Sequence, residues 1–162
     1  MSVFRPQELP SFNRLSWLMG LYGENYQRMA RLLDLRELAP GTYLSRCANG
    51  LDLVLEVLEV HPYTLELRLS YRMNDPVTGQ PDPSAYVRIY RDARQAEVTH
   101  CYIGRHWQDV LGLHPSPKVM FGHRLRMNSF LNKWLDYLLG QGHGPHTLVP
   151  LEAADEASVA FA

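Results

Sequence analysis

The chain has 162 residues, 46% of them hydrophobic, a length that fits one domain able to bury about 70% of its unfolded surface. Its formal charge of −1 excludes a polybasic arm or an acidic tail as the main feature. Two cysteines outside any C-x-x-C pattern favour reduced thiols. No run is apolar enough to span a membrane, and no secretory signal is visible, so we expect a cytoplasmic protein.

The first half of the chain predicts a helix followed by strands. From 11 to 35, hydrophobic residues recur at three- and four-residue steps, as in an amphipathic helix. Gly20 and Gly23 weaken its middle, so we expect a kink or a break there. From 42 to 73 the hydrophobic period becomes two, which predicts antiparallel strands with one buried and one solvent-facing side.

The second half predicts two more strands and a second helix. A proline-rich loop at 74–84 precedes the strands of 85–103, and 104–122 has no regular period. Hydrophobic spacing over 124–142 predicts the helix. The predicted class is α+β, with about five antiparallel strands and both helices packed on one face. We expect one domain over 1–150 and a flexible tail over 151–162.

The segment "VRIYRDARQAEV" at 87–98 predicts a charged β-hairpin. With its turn at 92–95, Tyr90 faces Glu97, and Arg88 shares their solvent-facing side, where charge pairs are inexpensive. The same register places Arg91 and His100 on the buried side. We interpret the hairpin as structural, with Arg88, Tyr90 and Glu97 as candidates for contacting a partner.

A basic segment with interleaved aromatic residues follows the hairpin. Its cationic candidates are Arg105, Lys118, Arg124 and Arg126. Cations for phosphates and rings for bases are what single-stranded nucleic acid or a nucleotide needs. The same mixture occurs where a loop covers a core, and no nucleic-acid-binding motif accompanies it.

Histidine and cysteine give weaker patterns. His143 and His146 lie in a Gly/Pro-rich stretch, and no neighbourhood approaches the four ligands of a zinc site. A Cys–His pair can form in space from Cys47 or Cys101, although cysteines on predicted strands are more often small core residues. No standard catalytic motif is present. We therefore predict no metal, no cofactor and no enzymatic activity, with an unusual enzyme left open.

Three segments resemble the proteobacterial family known as domain of unknown function 1249: "ENYQRMARLL" (24–33), "VRIYRDARQAEV" (87–98) and "NSFLNKWLDYLLGQG" (128–142). The matching positions are Asn25, Tyr26, Leu32, Leu33, Arg88, Tyr90, Asp92, Ala93, Glu97, Asn128, Phe130, Leu131 and Trp134. The resemblance spans about 19–142. It implies a small cytoplasmic bacterial protein, and it carries over no activity, cofactor or catalytic residue.

Two functions from different classes follow from these patterns. The first is a cytoplasmic, non-enzymatic binding or adaptor protein that contacts a protein partner through its exposed sheet face and the adjacent basic loop. The alternative is a protein that binds RNA or a nucleotide through the phosphate-binding side chains of 105–126, with an enzyme acting on such a ligand as a third reading.

Overall fold

A computed structural model describes residues 12–48, 50–72, 74, 76–79, 81–103 and 115–154. Within them, two helices pack on one face of a sheet of six strands. In chain order the elements are α1 (Phe12–Leu32), β1 (Gly41–Ser45), β2 (Leu53–Val60), β3 (Thr64–Tyr71), β4 (Ser84–Tyr90), β5 (Gln95–Tyr102), α2 (Pro117–Gly140) and β6 (Leu148–Pro150).

The sheet is antiparallel, with the strand order β5-β4-β3-β2-β1-β6. The predicted α+β class is therefore confirmed. The sixth strand was not predicted, because β6 is only three residues long and shows no alternation. It pairs with β1 through Leu44 and Val149, so the segment that follows α2 returns to the sheet.

The core lies between the helices and one face of the sheet. Alternate residues of the central strands are fully buried, such as Leu55 on β2, Leu67 on β3 and Ile89 on β4. They pack against Met29 of α1 and Leu131 of α2. Each such side chain contributes about 1.5–3 kcal/mol by leaving water, which is why both helices lie on this face.

Both helices differ from their predicted bounds. α1 is one helix through Gly20 and Gly23, so the predicted break is absent. α2 begins seven residues earlier than the predicted 124, because Ser116 accepts a 3.3 Å hydrogen bond from the Val119 N–H, and Pro117 occupies the first turn. A serine cap and a proline in the first turn are both typical of helix N-termini. Residues 117–122, which we predicted to be irregular, are therefore helical.

The β4–β5 hairpin has a different register from the predicted one. Its turn is 91–94, and Arg94 adopts a positive φ of 54°, a conformation that the sequence did not signal with glycine. Arg88 therefore faces Glu97, and Tyr90 faces Gln95. Arg91, which we expected opposite Ala96, lies in the turn, where its backbone N–H donates to the Tyr63 carbonyl at 2.8 Å.

The predicted position of His100 on the buried side is wrong, because β5 contains a bulge. The β4–β5 register shifts between Tyr86 and Val87, so Thr99 is an extra residue and His100 faces Tyr86. One inserted residue reverses the side on which the next side chain lies. His100 is consequently exposed on the solvent-facing side, whereas the unbroken alternation had placed it in the core.

The C-terminal segment is described as far as 154. Residues 151–154 form a helical turn in which Ala154 is buried. The remainder of the predicted tail, 155–162, lies outside the described residues, and the division into a 1–150 domain and a tail stays a prediction. Neither described helix is long and apolar enough to cross a membrane.

Candidate functional site

The solvent-facing side of β2–β5, which we call the open face, carries rows of interacting side chains across the strands. In one row the Glu56 carboxylate lies 2.7 Å from the Arg68 guanidinium. The Arg68 guanidinium carbon lies 5.8 Å from the centre of the Tyr86 ring. Tyr86 in turn contacts His100 edge-on, with ring centres 5.9 Å apart. Each contact fixes the next side chain along the row.

The next two rows contain the three open-face candidates, Arg88 and Glu97 in one and Tyr90 in the other. Two nitrogens of Arg88 lie 2.8 and 2.6 Å from one Glu66 oxygen, and the Tyr90 hydroxyl donates to Glu97 at 2.7 Å. Hydrogen bonds to Tyr90 and Glu66 raise the pKa of Arg88. Burial, followed by the bond to Glu97, raises the pKa of Tyr90. The structure thus joins Arg88, Tyr90 and Glu97 in one network.

A shallow depression lies between these rows. Its volume is about 410 Å³, and it is lined by Leu58, Glu66, Leu67, Tyr86, Val87, Arg88, Thr99 and His100. Two of the lining residues, Leu58 and Thr99, are the extra residues of bulges in β2 and β5, and bulges bend a strand locally. Leu58 and Tyr86 remain 39% and 37% exposed, so the depression presents apolar surface to solvent.

The open face has an excess of negative charge. Its charged side chains on β2–β5 are Glu56, Glu59, Glu66 and Glu97 against Arg68 and Arg88. Glu59 bonds to His61 at 3.0 Å, and Glu97 accepts from the neutral Tyr90 hydroxyl. Two carboxylates therefore exceed the arginines, and a phosphate-bearing ligand would be repelled here.

The three basic candidates that the structure describes lie on a helix and not in a loop beside this face. Lys118, Arg124 and Arg126 are exposed residues of α2, and Arg105 lies outside the described residues. Helical geometry separates Arg124 from Arg126 by about 200° around the axis, so the two point to different sides. Arg126 turns back along the helix, with Nε donating to the Gly122 carbonyl at 3.3 Å.

Arg124 is nevertheless linked to the open face through Tyr22 of α1. Burial raises the pKa of Tyr22, the charge of Glu97 raises it further, and the charge of Arg124 lowers it. Tyr22 therefore lies within electrostatic range of both groups. The charge of one basic candidate thus acts on the same tyrosine as the charge of Glu97.

Comparison with the profiles of known protein families identifies the family of this chain. The profile of a family described as "Protein of unknown function (DUF1249)" matches residues 28–144. The chain belongs to this family. The DUF1249 match contains the open face and all of α2, whereas Asn25 and Tyr26, two of the residues that carried the resemblance, precede it. No curated protein and no solved structure is significantly similar to the chain.

A second cluster, which we name the Cys47 cluster, consists of Ser45, Cys47, His143 and Thr147, and the first three of these lie within the DUF1249 match. Cys47 Sγ lies 3.3 Å from His143 Nε2. Ser45 Oγ lies 2.6 Å from His143 Nδ1 and 2.6 Å from Thr147 Oγ1. Cys47 and His143 are 96 residues apart in the sequence, and neither lies in a recognisable catalytic motif. The sequence therefore predicted only that a Cys–His pair can form, and it did not identify which residues form it.

The other cysteine does not take part in this cluster. Cys101 is buried on β5, and burial raises the pKa of its thiol to about 12, as expected for a core residue. The described residues contain no group of three metal-ligating side chains of the His, Cys, Asp or Glu type. Of the two thiols, only that of Cys47 is partly exposed, and it contacts a polar side chain, His143.

Proposed function

We propose that this protein is a cytoplasmic bacterial binding protein whose open face holds a segment of a partner protein. The segment carries a lysine or arginine next to an apolar side chain. The observation that supports this is the depression at Leu58 and Tyr86, which lies on a face whose strands carry an excess of carboxylates. The apolar side chain enters the depression, and the cation lies against Glu59 or Glu97.

The side chains of the open face are held before a partner arrives. Arg88 is fixed by Glu66, Tyr90 by Glu97, and Arg68 by Glu56 and Tyr86. Binding therefore loses little side-chain entropy, which favours affinity. Tyrosine and arginine are also enriched at protein interfaces, and the binding itself requires no catalytic group.

Two other occupants fit the open face less well. A second copy of this chain would bring two acidic faces together, which costs free energy. RNA or a nucleotide would place phosphates against the same carboxylates, and the described basic candidates on α2 point in different directions. Charge complementarity therefore favours the basic protein segment.

A selection from a random peptide library displayed on phage tests the proposal. Peptides that bind the wild-type protein should contain a basic residue next to an apolar one, and should not bind Leu58→Glu, which fills the depression with charge. Lys133→Glu, an exposed change on α2, is the matched control and should bind as the wild type does. Acidic peptides, or peptides that still bind Leu58→Glu, would contradict the proposal.

A second measurement addresses the nucleic-acid alternative. Fluorescence anisotropy with a single-stranded RNA at low salt should show no binding, because phosphate contacts provide most of such an affinity. RNA binding that weakens steeply with salt and is lost in Arg124→Ala would favour the alternative instead.

A further inference from the structure

The Cys47 cluster lies on the opposite side of the sheet from the open face. Ser45, the last residue of β1, pairs with Leu53, a residue of the buried face. Cys47 follows in the β1–β2 connection, and His143 and Thr147 come from the segment that joins α2 to β6. Three parts of the chain therefore meet at one end of the helix-covered face.

The hydrogen bonds of the cluster are satisfied by the following arrangement of protons on His143. The Thr147 hydroxyl donates to the Gly144 carbonyl at 2.9 Å, so its oxygen accepts from Ser45. Ser45 donates its single hydroxyl proton to Thr147, so the Ser45 oxygen can only accept in its bond with His143, and it accepts from Nδ1–H. The unprotonated nitrogen is therefore Nε2, which faces Cys47 Sγ at 3.3 Å.

The surroundings keep this imidazole neutral and still allow it to take a proton. Burial lowers the pKa of His143, whereas the Leu51 carbonyl and the charge of Asp52 raise it. Asp52 is itself 3.6 Å from Arg46. The acceptor is thus ready near neutral pH, and the carbonyl and the carboxylate stabilise the imidazolium once it forms.

The backbone at Gly50 approaches the thiol closely. A Cβ atom at Gly50 would lie 2.9 Å from Cys47 Sγ and 2.8 Å from Gln141 Oε1. This Gln141 oxygen is buried without a hydrogen-bond partner in the described structure. Turning the amide by 180° puts an N–H donor at the same place. Such a donor beside a nucleophile can stabilise an oxyanion.

A surface cavity lies next to the thiol. Its volume is about 300 Å³, and it is lined by Gly50, Leu51, Asp52, Tyr71 and Arg72. Two of these lining residues are close to the thiol. Gly50 approaches Cys47 Sγ, as described above. Burial raises the pKa of Tyr71, and the charge of Cys47 raises it further. Cys47 is not one of the lining residues, but it is partly exposed, so a small acyl compound held against Gly50 would lie close to its thiol.

We propose that Cys47 is a nucleophile for acyl esters, with His143 as its general base and Ser45 as the positioning residue that fixes the His143 tautomer. Nε2 takes the thiol proton while Sγ bonds to the ester carbonyl carbon. The ester C–O bond breaks, and the alcohol leaves with that proton. Water then attacks the thioester and gives a proton to His143. The Sγ–C bond breaks, the acid is released, and the thiolate recovers the proton.

The experiment uses p-nitrophenyl acetate with the full chain. Release of p-nitrophenolate is followed by absorbance, and intact mass with peptide mapping locates the acetyl group. We expect one acetyl on Cys47, none in Cys47→Ala, and an unchanged result in Cys101→Ala. His143→Gln should lower the acylation rate constant by about 100-fold, the size of a general-base contribution.

The pH profile separates a base from a merely structural histidine. Because burial lowers the pKa of His143 below its ordinary 6.5, acylation should persist at mildly acidic pH and fall at a pH below 6.5. Ser45→Ala should shift this midpoint. Acylation of Cys47 no faster than that of N-acetylcysteine, or an equal rate in a folded His143→Gln protein, would overturn the proposal. If His143→Gln does not fold, the comparison with N-acetylcysteine and the Ser45→Ala profile decide.

Discussion

Asn128 of α2 accepts a hydrogen bond of 2.9 Å from the backbone N–H of Val98 through its side-chain oxygen. β5 is an edge strand, and this N–H is one that no neighbouring strand satisfies. The Asn128 side-chain nitrogen donates to the Arg124 carbonyl at 2.8 Å, and its backbone carbonyl accepts from Asn25 at 3.2 Å. One fully buried residue therefore ties both helices to the edge of the sheet, α2 through its side chain and α1 through its backbone carbonyl.

Replacing Asn128 with Leu should destabilise the fold. The Val98 N–H would lose its partner while staying buried, which costs about 1–3 kcal/mol. Urea unfolding followed by circular dichroism measures the change. Asn132→Ala, which removes a more exposed amide bonded to Glu24, is the control and should cost less than about 1 kcal/mol. Equal losses in the two variants would contradict this role of Asn128.

The Glu97→Gln substitution separates binding from stability on the open face. The new amide keeps an acceptor for the Tyr90 hydroxyl, but the negative charge is lost. Glu97 is only partly buried, so we expect the free energy of unfolding to change by about 1 kcal/mol or less. The affinity for a basic peptide selected on the wild type should fall about fivefold, with a weaker dependence on salt. An unchanged affinity would place the cation elsewhere.

Two buried histidines should make stability depend on pH. Burial lowers the pKa of His143 and of His123, whose pKa Arg126 lowers further. The unfolded chain then binds these protons more readily than the folded one, so stability is full above the ordinary 6.5 and declines as pH falls from there to the folded values. Urea midpoints at several pH values measure this decline. It should be smaller in His143→Gln, and a steeper decline in that variant would contradict the assignment.

The two thiols should differ in their reaction with iodoacetamide. The pKa of Cys101 is about 12, and its side chain is buried, so the folded protein should take one label, on Cys47. In urea both cysteines should react. Mass spectrometry counts the labels, and a folded protein labelled at Cys101 first would show that β5 opens more readily than its packing implies.

The sequence predicted the parts of this protein that depend on regular periods. The hydrophobic spacing of Leu125, Leu131 and Leu138 predicted the buried side of α2, and all three are buried. His100 was misplaced because a bulge breaks the period of two. The hairpin register was wrong because Arg94 adopts a backbone conformation that is normally marked by glycine.

The Cys47 cluster shows a different limit of the sequence. Ser45, Cys47 and His143 are ordinary residues in their local contexts, and only the return of the chain after α2 brings them together. The candidates on the open face, in contrast, could be grouped from the sequence. Arg88, Tyr90 and Glu97 lie close together in sequence, so alternation alone placed them on one side, even with the wrong partner for each.

The short strand β6 has a consequence for how this protein meets other molecules. It covers the free edge of β1 with three residues and ends in Pro150, which has no N–H to offer. At the opposite edge, Asn128 occupies the Val98 N–H. Each border of the sheet therefore offers fewer regular pairing positions, which makes the addition of a foreign strand there less favourable. End-to-end polymerisation through these borders is thereby disfavoured.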